Sequence, residues 1–264
     1  MRQANRAART MTAVCVALGL LGCRTKALFS DDFESYAAGA PPGGKWASAT
    51  TNGAVAVDEA RHHGGTKAVK FTTTGKAAYQ SAFMRLGGGV LPVAGNAFYG
   101  RMMVWLEAAP ATSVHWTMLQ GSGLVPGQNH HAQYRYGGQH PLAAGNQLMA
   151  NYETPDSYKG VGPSSDCWVH SDGKVLPVRT WSCVEWQFDG AANTMRLWLD
   201  GAPIDSLTVT GVGQGCVNQP ARYPWTAPLF DHLELGWESY QADESRTFWI
   251  DDVVVSTVKI EYPP

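Results

Sequence analysis

The chain has 264 residues, 44% of them hydrophobic and only 16% charged, with a formal net charge of −2. An ordinary globular domain carries roughly 25% charged residues, so disorder, which needs high net charge and low hydrophobicity, is excluded. So is a nucleic-acid binder with a basic stripe, because 20 Lys and Arg face 22 Asp and Glu. Ten Trp, 29 Gly and 15 Pro point instead to a secreted, β-rich protein whose polar and aromatic surface suits carbohydrate.

The first 22 residues read as a leader. Arg2, Arg6 and Arg9 precede an apolar run from Met11 to Leu21 that is too short to span a bilayer of about 30 Å. The run ends in Leu20-Leu21-Gly22-Cys23, which resembles a bacterial lipoprotein signal. That resemblance implies lipidation of Cys23, a short tether over 23–27 and a domain over 28–264. Arg24 in place of Asp after the cysteine implies an outer-membrane or extracellular location. A single lipidated residue anchors a protein without making it span the membrane. Loss of the three leader arginines takes the charge from −2 to −5.

Short runs separated by Gly, Pro and Asn clusters then fill the chain, which is the pattern of strands joined by turns. They cover 53–57, 67–72, 79–85, Ala97–Leu106, 113–120, 132–136 and 147–152. The series continues through 180–188, 194–199, 204–209, 232–237 and 246–255. No stretch keeps a helical period for 12 residues. The expected fold is all-β, a two-sheet antiparallel sandwich in one domain.

Cys167, Cys183 and Cys216 remain once the leader and Cys23 are set aside. In an oxidising compartment they imply one disulfide and one thiol. Cys167–Cys183 is the expected pair because both flank one short segment, and Cys183–Cys216 is the competing one.

Three segments carry a family resemblance. They are Asp31-Asp32-Phe33-Glu34-Ser35-Tyr36 with His63-Gly64-Gly65-Thr66-Lys67-Ala68-Val69-Lys70-Phe71, then Trp181-Ser182-Cys183-Val184-Glu185-Trp186 leading to Trp198-Leu199-Asp200-Gly201, and Phe248-Trp249-Ile250-Asp251-Asp252-Val253. They resemble the concanavalin A-like jelly rolls of secreted carbohydrate proteins. Within these the chain is similar to the Cip1-like core domain, itself related to the glucuronan lyases. The resemblance implies a jelly roll with a polysaccharide-binding face, and a structural calcium joining the two chain ends. Glu34 and Asp251 are the expected calcium ligands, with Asp252 as a substitute for Asp251 and carbonyls from the 63–65 turn. Calcium takes several hard oxygens of this kind.

The chemistry-bearing residues favour elimination over hydrolysis. A glycosidase needs two facing carboxylates; the Glu-x-Asp-x-x-Glu pattern of jelly-roll glucanases is absent, although Glu185 with Asp189 and Glu234 with Glu238 have even spacing. A lyase acting on a uronic acid must neutralise the carboxylate, remove the C5 proton and protonate the leaving oxygen. The middle of the chain is dense in suitable groups. Arg101, Gln133, Arg135 and Tyr99 are the expected substrate-binding residues. His115 is the candidate base or charge neutraliser, and Tyr240 the candidate base and acid. Trp105, Trp116, Trp168, Trp225 and Trp237 are candidate sugar platforms. A non-catalytic glycan-binding surface lipoprotein is the alternative function, and a purely structural lipoprotein the third; on each reading the protein is expected to be a monomer.

Overall fold

A computed structural model describes residues 27–260. The leader and Cys23 therefore lie outside the described residues. Two antiparallel sheets face each other across one aromatic and aliphatic core, with nine and eight strands among the described residues.

The first sheet has Ala97–Leu106 and Thr247–Ser256 at its centre, flanked by Trp181–Asp189 and Ala68–Thr73. Phe29–Asp31 pairs with Thr247–Ser256, so the two ends of the described chain meet in neighbouring strands. The second sheet runs Gly215–Val217, Asp166–Val175, Gly145–Glu153, His131–Leu142, Trp116–Leu124, Leu229–Ser239, Gln80–Leu86 and Trp46–Thr51.

Alternation along each strand divides core from site, because successive strand side chains point to opposite faces. In His131–Leu142 the core receives Ala132, Tyr134 and Tyr136, while Gln133 and Arg135 turn outward. In Gly145–Glu153 the core takes Leu148, Ala150 and Tyr152, leaving Met149, Asn151 and Glu153 on the outer face. Trp116 stacks on Trp237 at 4.6 Å, and Tyr152 on Trp225 at 5.7 Å. Those three tryptophans are core residues with at most 1% exposure, which removes them as sugar platforms. Burying a large aromatic on the inner face is worth more than displaying it.

The expected strands are present, with differences at weakly patterned segments. Trp46–Thr51, Asp166–Val175 and Gly215–Val217 are strands in segments whose alternation is too weak to predict one. The 204–209 run is instead mostly a tight 3-10 turn, Asp205–Leu207, before the two-residue strand Val209–Thr210.

The disulfide is the clearest correction. Cys167 bonds to Cys216, its directly opposed partner between adjacent strands. Cys183 is a free, buried thiol in the other sheet. Cys167 and Cys183 are close along the chain, but the connection between them crosses from one sheet to the other.

Candidate functional site

The outer face of the eight-stranded sheet carries a cleft of about 650 Å³. Five strands, and the residue that follows the last of them, supply its main polar groups. Gln80–Leu86 presents Ser81, Phe83 and Arg85 at every second position. Trp116–Leu124 contributes Gln120, His131–Leu142 contributes Gln133 and Arg135, and Gly145–Glu153 ends on Glu153. Glu234 and Glu238 come from Leu229–Ser239, and Tyr240 follows it.

Both glutamates of that strand face the cleft because they stand four residues apart in a stretch whose register against Gln80–Leu86 is unbroken. The register against Trp116–Leu124 shifts between Leu235 and Glu238. Gly236 sits in this interval with φ 149°, where a Cβ would come within 2.1 Å of the Ala82 carbonyl oxygen. Only glycine fits so close an approach.

A buried charge network forms the floor. Arg135 is 2% exposed; its Nη1 pairs with Glu153, its Nη2 donates to Glu238 at 2.5 Å, and its Nε donates to Gln120 at 2.7 Å. Gln120 in turn donates to Glu234. Burial disfavours the Arg135 charge, yet Glu238, Tyr240 and Glu153 hold its pKa well above the ordinary value. Burial pushes the Glu238 carboxyl up, and Arg135 opposes that rise. Arg135 is thus committed to protein carboxylates and is not a free receptor for a substrate carboxylate, contrary to its expected binding role. Every donor of a buried guanidinium seeks a partner, and here the protein supplies them.

Tyr240 is the pivot of the site. Its hydroxyl donates to Glu153 Oε2 at 2.9 Å, and its ring lies 4.9 Å from the Arg135 guanidinium. Burial raises its pKa well above 10, with Arg135 working against the shift. Tyr79 stands edge-on to it at 5.8 Å and donates to Glu238 at 2.6 Å. Burial and the Glu238 charge push the Tyr79 hydroxyl up as well.

His115 lies behind Tyr240, with the rings stacked at 4.8 Å and 24°. It lines a neighbouring hollow and not the main cleft. Burial, then the Arg135 charge, lowers its pKa to about 3. A neutral imidazole of that acidity is a weak base and cannot neutralise a carboxylate.

Gln133 and Tyr240 therefore share the main cleft with Arg135, whereas Tyr99 and Arg101 do not. Both sit in Ala97–Leu106, in the opposite sheet, and Arg101 lines a separate pocket with Phe29, Asp32 and Asp252. Their alternation was legible, but sheet membership was not. The residue missed is Arg85, whose side chain is 48% exposed and pairs with Glu234 at 2.6 Å. The alternation of Ser81, Phe83 and Arg85 was the available signal, since it places a cation on a face that also carries an aromatic ring. Trp105 stands in the same opposite sheet under the Arg61 guanidinium, 3.8 Å away, while Trp168 lines the neighbouring hollow.

At the chain-end junction, Glu34 and Asp251 converge on one turn. Glu34 accepts from Thr66 N, Thr66 Oγ1 and Lys67 N. Asp251 accepts from His63 N and Gly64 N. The donors turned toward the carboxylates are N–H and hydroxyl groups. Among the described residues no three His, Cys, Asp or Glu side chains gather closely enough to hold an ion. Calcium at this turn would draw on two carboxylates, the Thr66 hydroxyl and oxygens outside the side-chain set.

The arrangement can bind a sugar chain on rings and amides, and can move a proton between Tyr240 and Glu153. Comparison with solved structures gives the cellulose-induced protein Cip1 at TM-score 0.60 and 21% identity, covering 88% of this chain and 98% of that one. An alginate lyase, vAL-1 from Chlorella virus, matches at TM-score 0.49 and 12% identity over 81% of this chain and 93% of its own. The CBM22-1 xylan-binding domain of Paenibacillus barcinonensis Xyn10C matches at TM-score 0.41 and 12% identity, covering 90% and 97%. No curated protein matches the sequence. The family profile described as polysaccharide-lyase-like, Cip1-like core domain, matches residues 32–258, and the chain belongs to that family.

Proposed function

We propose that the main cleft binds a polysaccharide containing uronic acid and cleaves it by β-elimination, with Tyr240 as the proton-transfer group. The observation that carries this reading is the 2.9 Å hydrogen bond from the Tyr240 hydroxyl to Glu153 in an open cleft. A tyrosine whose pKa is held this high is protonated at neutral pH and cannot act as a base alone. Glu153 supplies the missing acceptor.

The Tyr240 hydroxyl passes its proton to Glu153 while its oxygen takes the C5 proton of the uronate. The C5 electron pair forms the C4=C5 double bond, and the C4–O4 bond breaks. On the same face of the sugar, Tyr240 protonates the departing O4 and recovers its own proton from Glu153. Arg85, the half-exposed guanidinium of the cleft, and Gln133 receive the substrate carboxylate and favour the charge that develops on it. Arg135 holds Glu153 and Glu238 in place, and His115 braces the Tyr240 ring.

Incubation with glucuronan and alginate, read by the ultraviolet absorbance of the new double bond, tests the reaction. Product is expected from at least one uronan, with Tyr240→Phe lowering kcat by about 100-fold or more. Binding without absorbance would leave the non-catalytic glycan-binding module. Lipidation at Cys23, an outer-membrane location and calcium at the Glu34–Asp251 junction belong to the same proposal. Mass spectrometry of membrane-extracted protein tests the lipid.

A further inference from the structure

Beyond Tyr240 the same sheet face holds a second hollow, of about 420 Å³. It is lined by His115, His140, Asn151, Asp166, Trp168 and His170, among others. Asn151 and Glu153 are two residues apart on one strand, a step of about 7 Å, and belong one to each cavity. The stacked Tyr240 and His115 rings form the partition, one lining each side. The two hollows are thus adjoining stations on one track.

Their chemistry differs. The main cleft carries two guanidinium groups, Arg85 and Arg135, whereas among the described residues no Lys or Arg lines the second hollow. Its one ionisable acid is Asp166, whose pKa burial raises. Buried polar atoms there have no partner: His115 Nε2, Asn151 Oδ1 and His170 Nε2. His115 is 8% exposed and Asn151 2% exposed. Buried groups of this kind are normally satisfied, so their open valences ask for a ligand with hydroxyl groups. Both amide hydrogens of Asn151 are spent, on Asp166 and the Cys167 carbonyl, which leaves its oxygen to accept. Trp168 adds an indole whose flat surface suits the C–H face of a pyranose.

We propose that this second hollow seats a neutral, hydroxyl-bearing sugar unit next to the uronate in the main cleft, so that a mixed polysaccharide is preferred over a homouronan. A carboxylate placed there would meet Asp166 with no cation to receive it. The proposal rests on the reading of the main cleft as a uronate site.

Calorimetric binding separates the possibilities. The probes are a glucuronan hexasaccharide and hexasaccharides in which glucuronate alternates with glucose, with N-acetylglucosamine or with rhamnose. At least one mixed probe is expected to bind about tenfold or more tightly than the glucuronan. His170→Ala, at a half-exposed position, is expected to erase that preference while leaving glucuronan affinity unchanged. Asn151→Asp, which puts a second acid in the hollow, should instead weaken glucuronan binding further and widen the preference. Equal or tighter binding of the glucuronan, a preference that survives His170→Ala, or glucuronan binding unmoved by Asn151→Asp overturns the proposal. Absorbance of the unsaturated product is recorded separately. Loss of that signal with the preference intact removes the lyase step and leaves the second station standing.

Discussion

The guanidinium of Arg135 lies 4.9 Å from the ring of Tyr240, and the carboxylate that pairs with the one accepts the hydroxyl proton of the other. Glu153 is therefore shared between a fixed cation and a proton donor. Arg135→Ala would leave Glu153 and Glu238 buried without their partner, at a cost of about 3–5 kcal/mol. Urea unfolding followed by tryptophan fluorescence should show this loss. A midpoint unchanged from the parent would mean that the network contributes nothing to stability.

Arg85 should behave in the opposite way. Its side chain is half exposed, and its pairing with Glu234 is worth less than about 1 kcal/mol. Arg85→Gln is expected to leave the melting temperature nearly unchanged and to raise KM for a uronan about tenfold. The weakened dependence of KM on ionic strength is the accompanying signature. An unaltered KM would place the carboxylate receptor elsewhere.

His115 sets a pH dependence of stability. Its folded pKa is about 3 against an ordinary 6.5, so the unfolded chain binds a proton that the folded chain refuses. The neutral ring contributes fully above pH 6.5, and stability falls as pH drops from 6.5 toward 3. The slope approaches 1.4 kcal/mol per pH unit, roughly that of one proton. His115→Gln should remove close to one proton from that slope, measured by urea unfolding across the same window. Arg135 and His170 also disfavour charge on the ring, so their own variants would shift the window without abolishing it.

The Cys167–Cys216 bond closes a loop of 49 residues and ties the three-residue edge strand Gly215–Val217 to its neighbour. Removing it through Cys216→Ser should cost up to about 4 kcal/mol on the chain-entropy view. Peptide mapping without reduction should recover 167 joined to 216, with Cys183 unmodified until the protein is unfolded.

Calcium is tested by melting. A ligand bound only by the native state stabilises it by mass action. Chelation is expected to lower the transition temperature of the protein, with Glu34→Gln abolishing the difference. An unchanged transition would leave the turn closed by its own N–H and hydroxyl donors alone.

The strand pattern and sandwich class were legible because period-two alternation and turn residues are local signals. Sheet membership was not, since it depends on which strands cross over. Arg101 and Arg135 have similar alternating surroundings, yet the former sits in the opposite sheet and the latter beneath the cleft. The same ambiguity misdirected the disulfide. Tyr240 and Gln133 could be singled out as polar groups in aromatic segments. Arg85 offered only its alternation with Ser81 and Phe83, because its importance comes from Glu234, 149 residues away and directly opposed.

The position of Leu229–Ser239 carries one more consequence. It lies between Gln80–Leu86 and Trp116–Leu124, strands that are both translated long before it. Until it docks, the two earlier strands have unpaired edges facing a gap, and the cleft has no Glu234, Glu238 or Tyr240. Long-range pairing of this kind slows folding and leaves strand edges open to other chains. The strand that brings Glu234 and Glu238 to the cleft is also the keystone of its sheet, so a folding chain completes the cleft and closes both open edges in one event.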